Sequence, residues 1–80
     1  MVFIYIIRLF WKPVVNPLLI ENVPIFLEFT KALEYVIEYM EIHQLQPKEN
    51  TFDHQNRYYL YEDFIAEHFI WIEKHEINIL

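Results

Sequence analysis

Residues 26–44 read FLEFTKALEYVIEYMEIHQ, and this is the long segment of the chain with a helical period. Phe26, Phe29, Leu33, Val36, Ile37 and Met40 recur three or four apart, which lines them up as one apolar stripe on an α-helix. Glu28, Lys31, Glu34, Glu38 and Glu41 fall mostly on the other side. A helix over 26–44 is therefore expected, and the rest of a short chain must cover its stripe. The start is weakly punctuated. Leu27 or Glu28 would be the boundary residue, and neither is a favoured N-cap. Asn22 could instead cap a helix that begins earlier, with Pro24 in its first turn. The end is clearer, because Gln46-Pro47 stops a helix and residues 47–51 are a polar loop.

On the N-terminal side of the helix the pattern changes to strands. Residues 2–12 are rich in β-branched and aromatic side chains. Phe3, Tyr5, Ile7, Leu9 and Trp11 make one parity apolar throughout. The other parity runs from Val2, Ile4 and Ile6 to Arg8, Phe10 and Lys12. That is the pattern of a central strand with one face against a helix. Pro13 ends it, Asn16-Pro17 signals a turn, and residues 18–23 can return as a second strand in a hairpin.

Beyond the polar loop, residues 70–79 read as a strand rich in Ile with Trp71, charged at Glu73-Lys74. The stretch before it has two readings. Tyr58, Tyr61, Ile65 and Phe69 fit a short helix, whereas residues 57–61 alone fit a strand paired with the last one. Glu62, Asp63, Ala66 and Glu67 are poor strand residues and favour a helix over 59–68. The expected fold class is α+β in a single domain over 1–80: a small antiparallel sheet of three or four strands with one long helix packed on one face, in the order β-β-α-(α or β)-β.

Composition narrows the functional classes. The chain has 80 residues, near the lower size for a self-supporting core, and it has no cysteine to staple it. It is 55% hydrophobic and 19% aromatic, which argues against disorder and for aromatic side chains reaching the surface or a partner. Glycine is absent, so phosphate loops and dinucleotide fingerprints are excluded. Asn16, Asn22, Asn50, Asn56 and the four prolines must supply the punctuation. Serine is absent too, which removes a serine nucleophile. Among His43, His54, His68 and His75 no metal-ligand spacing occurs, and His68 and His75 would face opposite sides of a strand. Paired carboxylates on a water-facing helix are more commonly a solvated face than acid–base machinery. Neither catalysis nor a cofactor is expected.

The net charge is −6. Residues 1–20 carry Arg8 and Lys12 and no acid, whereas residues 21–80 carry four bases against twelve acids. Such a body repels nucleic acid and anionic membrane and attracts basic protein surfaces. The apolar run before Arg8 lasts seven residues, with no preceding basic residue and no small-residue cleavage site. A signal peptide or membrane span is not expected there, and the cytoplasm is the expected location.

Residues 23–36, VPIFLEFTKALEYV, resemble the strand-to-helix junction of small uncharacterised proteins of Gram-positive bacteria and their phages. Those proteins run strand, strand ending in an aromatic, then a helix with Lys-Ala followed by Tyr-Ile/Val, and they close on a strand like residues 72–78, IEKHEIN. At the helix start they have small residues where this chain has Leu27 and Glu28. The likeness spans about half the chain and implies a β-β-α-β layout, with no catalytic residues to transfer. It gives the acidic face a sharper meaning. Carboxylates spaced along a helix beside tyrosines imitate a phosphate track. The expected function is a non-enzymatic, phage-type inhibitor or modulator of a host nucleic-acid-handling enzyme, in anti-CRISPR or anti-restriction style. Its partner-binding residues would be Glu34, Tyr35, Glu38, Tyr39, Glu41, Tyr58, Tyr59, Tyr61, Glu62 and Asp63. The bland reading is that the charge only keeps an aromatic-rich chain soluble. The alternative function is a structural, homodimerising accessory protein with no enzyme target, paired through a sheet edge or an aromatic patch.

Overall fold

A computed structural model describes residues 2–11 and 24–78. Four elements follow one another: β1 (Val2–Trp11), α1 (Phe29–Ile42), β2 (Arg57–Asp63) and β3 (His68–Ile77). The class is α+β, with one helix and one antiparallel sheet of three strands in the order β1-β3-β2. Among the described residues there is no fourth strand, and the strand expected over 18–23 lies outside them. The last strand in sequence is thus the central one in space, and β1, expected to be central, lies at an edge of the three described strands, because both of the other strands' pairings are with β3. Its wholly apolar start, Phe69 to Ile72, suits a position with a neighbour on either side.

Register sorts the side chains. Ile7 stands opposite Ile72 and Leu9 opposite Ile70, so one parity of β1 and β3 is aliphatic at the middle of the two strands. Ile7, Ile70 and Ile72 join Leu60 and the helix residues Ala32, Val36 and Met40 in one buried cluster, and Leu9 packs against it partly buried. The other parity sets Arg8 opposite Trp71 and Phe10 opposite Phe69. None of those four is fully buried.

The strand reading of 57–61 is the correct one, and the helix expected over 59–68 is absent. Residues 57–63 form β2 and 64–67 form a turn. The cause of the error is a β-bulge between Tyr59 and Tyr61. A bulge inserts one extra residue, so two neighbours can point to the same side. Here Leu60 is buried and Tyr61 also packs on the core, as does Tyr58. Core contacts at 58 and 61 imitate a helical spacing of three. The poor strand formers have a separate explanation. Asp63 Oδ1 accepts the backbone N–H groups of Ile65 at 3.1 Å and Ala66 at 3.0 Å, so it builds the turn.

The helix is shorter than expected at both ends. Phe26 is not helical but exchanges two backbone hydrogen bonds with Tyr5, at 2.8 and 3.1 Å. Glu28 is the N-cap and makes no side-chain capping bond, as its residue type implies. At the other end Leu45 N–H donates to the Met40 carbonyl and Gln44 N–H to the Glu41 carbonyl. Gln44 has φ 57°. This is the Schellman pairing, with glutamine where glycine is usual, and it stops α1 before Pro47 is reached. Among the described residues Asn56 and Glu67 hold the other left-handed positions. Of the asparagines expected to punctuate the chain, Asn56 does so by this route.

The loop after α1 then follows the outer edge of β2. Lys48 N–H donates to the Leu60 carbonyl, and Asn50 Nδ2 donates to the Tyr59 carbonyl at 3.1 Å. It delivers Phe52 to a ring cluster with Tyr5, Phe29 and Tyr58, whose centroids lie 5.1–6.4 Å apart. Aromatic rings at these separations add to the energy of area burial alone. Lys74 lies over Phe3 at 4.2 Å beside that cluster.

Candidate functional site

The residues expected to bind a partner do not form one surface. Glu34, Glu38 and Glu41 are exposed on α1 and follow one another at helical spacing, so they form a single row. Lys31, 3.7 Å from Glu34, is the nearby cation. Tyr35 is exposed at the margin of this row and packs its ring against Phe26. Tyr39 is half-buried. Burial raises its hydroxyl above the ordinary value of 10.0, and its ring lies 4.3 Å from that of His43. Tyr58 and Tyr61 pack on the core. Tyr59 lies on the opposite parity of β2, facing Trp71 across the strands. Glu62 shares that parity and is bonded by Lys48 Nζ at 3.2 Å. Asp63 is spent on the turn. The helix row and the Tyr59/Glu62 surface are therefore separate candidates, while Tyr39, Tyr58 and Tyr61 are partly buried against the core.

A polar centre that composition did not disclose sits on the second parity of β3. Glu73 is 16% exposed and receives three neighbours. Trp71 Nε1–H donates to Oε2 at 2.9 Å, Arg8 Nε–H donates to Oε1 at 3.3 Å, and His75 Nε2 lies 3.0 Å from Oε1. Burial alone would push the Glu73 carboxyl up. The bonds from Trp71, His75 and Arg8 more than offset it and leave the carboxyl below its ordinary value. Arg57 lies beside this centre, opposite Glu73 in register. It donates to the Tyr59 hydroxyl at 3.4 Å and stands 5.6 Å over the Trp71 ring. Trp71, Glu73 and His75 alternate on one face of β3, a spacing of two that the sequence shows, whereas only the register of β1 against β3 brings Arg8 to them.

His68 is the other titratable group of note. Its ring stacks on Trp11 at 5.0 Å and meets Tyr61 edge-on at 5.0 Å. Nε2 is buried with no hydrogen-bond partner. Burial lowers its pKa below the ordinary 6.5, Asp63 opposes that shift and His43 adds to it. A histidine that holds its proton less tightly when folded weakens the fold as the pH falls below its unfolded value, down through its folded value. Stability by urea unfolding is accordingly expected to drop as the pH falls below the ordinary 6.5. His68→Phe should make that drop shallower; an unchanged slope would remove His68 as its source.

The described residues contain no group of three or more His, Asp or Glu placed to hold a metal ion. None of their helices is long and apolar enough to cross a membrane. Fold and surfaces together define a small α+β protein with a three-stranded antiparallel sheet, an acidic helix row and an aromatic sheet face. No protein-family model matches the chain, and neither a curated protein nor a solved structure shows significant similarity to it.

Proposed function

We propose that this chain is a non-enzymatic, acidic protein-binding module whose partner presents a basic surface. In this reading α1 lies across the sheet face that carries Ile7, Ile70 and Ile72, and turns its acidic row outward. The observation that carries it is that row: Glu34, Glu38 and Glu41 are exposed on one helix, in a chain of net charge −6. Repulsion from polyanions sets the same row against direct nucleic-acid or membrane binding. A basic groove that normally holds a phosphate track is the complementary surface. The finer proposal is therefore a phage-type inhibitor of a nucleic-acid-handling enzyme, acting in the bacterial cytoplasm. The β-β-α-β resemblance supports that reading by analogy alone.

The test starts from a partner captured from bacterial lysate and identified by mass spectrometry. Its affinity for the wild-type chain should fall steeply with salt. Reversing Glu34, Glu38 and Glu41 together to Lys should weaken it by about 100-fold or more. Binding unchanged by the triple reversal would remove the helix row as the site. The second reading, a homodimerising accessory protein, is favoured by Phe10 and Trp11, which are exposed at the end of β1. It predicts a concentration-dependent dimer in sedimentation, and a strict monomer at high concentration would remove it.

A further inference from the structure

Ile65 projects from the β2–β3 turn with 98% of its surface in solvent, the most of any large apolar side chain among the described residues. It is not on a loose tip, because Asp63 Oδ1 accepts the N–H groups of Ile65 and Ala66 and fixes the turn. An apolar side chain on a pre-ordered turn loses little freedom on binding. Its neighbour Phe64 leans on the sheet instead and meets Phe69 edge-on at 5.2 Å. With Phe10, Tyr59, Glu62, Phe69 and Trp71 it walls a groove of about 370 Å³. Phe10, Phe69 and Trp71 belong to the parity opposite to Ile7, Ile70 and Ile72, so the groove lies on the other side of the sheet from the buried cluster. An apolar knob and an aromatic groove thus sit side by side on one surface.

Charge limits what this surface accepts. Glu62 is held by Lys48 at 3.2 Å and Glu73 by Arg8 at 3.3 Å. Arg57 lies over the Trp71 ring and donates to the Tyr59 hydroxyl, and Asp63 serves the turn. Arg8, Lys48 and Arg57 nearly balance Glu62, Asp63, Glu67 and Glu73 in this region, while the chain as a whole stands at −6. A basic partner therefore has little to pair with in the groove, and an anionic one is repelled by the chain as a whole. A second copy of the chain is a different case. Two chains of −6 repel each other, and that repulsion is least across a face whose charges are already balanced. The shape points the same way. At a two-fold interface each copy offers the same patch, so a knob beside a groove is matched twice by one rotation. An unrelated partner would need to match both features separately.

We propose that this face is a self-association surface, at which two copies pair about a two-fold axis and each seats Ile65 in the other's aromatic groove. The proposal rests on the homodimer reading above and gives it a site. Glu34, Glu38 and Glu41 line none of the groove, so the helix row stays available to a basic partner.

Sedimentation equilibrium of the full chain over roughly 1–500 µM is the first measurement, and a reversible dimer is expected. Ile65→Asp sets a charge on the knob, twice per dimer, and should weaken association by about 100-fold or more. Almost nothing of its own chain covers Ile65, so the variant keeps its fold, which retained amide dispersion confirms. Reversing Glu34, Glu38 and Glu41 to Lys should not weaken the dimer. In a sample mixed from ¹³C-labelled and unlabelled chains, isotope-filtered NOEs are expected from the Ile65 methyls of one copy to the Phe10 and Trp71 rings of the other. Either a dimer untouched by Ile65→Asp or one that lacks those NOEs would overturn the groove and leave the homodimer reading to another surface. A strict monomer at the highest concentration would overturn both. So would a monomer whose Ile65 amide shifts only on addition of neutral phosphatidylcholine vesicles, which would assign the knob to a lipid surface.

Discussion

Ile72→Ala is expected to cost about 2–5 kcal/mol of folding stability, the range for truncating a buried isoleucine. Ile72 has no exposed surface and sits on the central strand, between Ile7 on β1 and Tyr58 on β2. Its side chain belongs to the same cluster as Ala32, Val36 and Met40 of the helix. The missing atoms would leave a cavity that neighbours on both strands and the helix can fill only by shifting together. An 80-residue domain is stable by roughly 4–12 kcal/mol in total, so one such change removes a large share. Thermal unfolding should show a midpoint lowered by roughly 10–30 °C. Ile65→Ala, at a position almost wholly in solvent, is the control and should change stability by no more than about 0.5 kcal/mol. Equal effects at the two positions would mean that β3 is not the centre of the core.

The second large effect is expected at Glu73. Glu73→Ala removes the acceptor of the Trp71 indole N–H, a partly buried donor, and releases Arg8 and His75. The two exposed donors regain water; the indole is the group left without a partner. The expected loss is about 1–3 kcal/mol at pH 7. Glu73→Gln keeps an acceptor for the indole and should lose less. Linkage provides the check. The Glu73 carboxyl titrates lower in the fold than its ordinary 4.5, so its contribution is present above that value and lost as the pH falls through the folded value. The gap in unfolding midpoint between wild type and Glu73→Gln should therefore be widest near neutral pH and narrow as the pH falls below the ordinary 4.5. A gap that stays constant down to pH 3 would show that charge at Glu73 contributes nothing.

The two titrations are separable because they fall in different windows. His68 acts as the pH drops below about 6.5, where a neutral, stacked imidazole is forced to charge without a partner for Nε2. Glu73 acts only in acid. Asp53 joins the acid window. The backbone N–H of Arg57 is the largest cause of its lowered pKa, and the carboxylate is exposed in a turn before β2.

Local pattern was sufficient for much of this. The stripe of α1, the strand character read over residues 2–12 and 70–79 and the acidic row at Glu34, Glu38 and Glu41 all follow from side-chain period and type, whereas the choice of Glu28 as N-cap over Leu27 or Asn22 did not. Those properties act over a few residues, so a linear string carries them. The absence of Gly, Ser and Cys likewise limits the chemistry before any fold is known.

Pairing was not legible in the same way. That β3 lies between β1 and β2 depends on which strand edges meet, and side-chain period along one strand does not encode that. The bulge at Leu60 gave Tyr58 and Tyr61 a helical spacing inside a strand, and only hydrogen bonding to β3 separates the two. Three residues with side chains took the left-handed positions that glycine usually marks, so the stops at Gln44 and Glu67 carried no signal. The Arg8–Glu73 pair and the aromatic sheet face are both products of register. Arg8, Tyr59, Glu62, Phe69 and Glu73 are scattered along the chain, and antiparallel alignment on one parity is what brings them into contact.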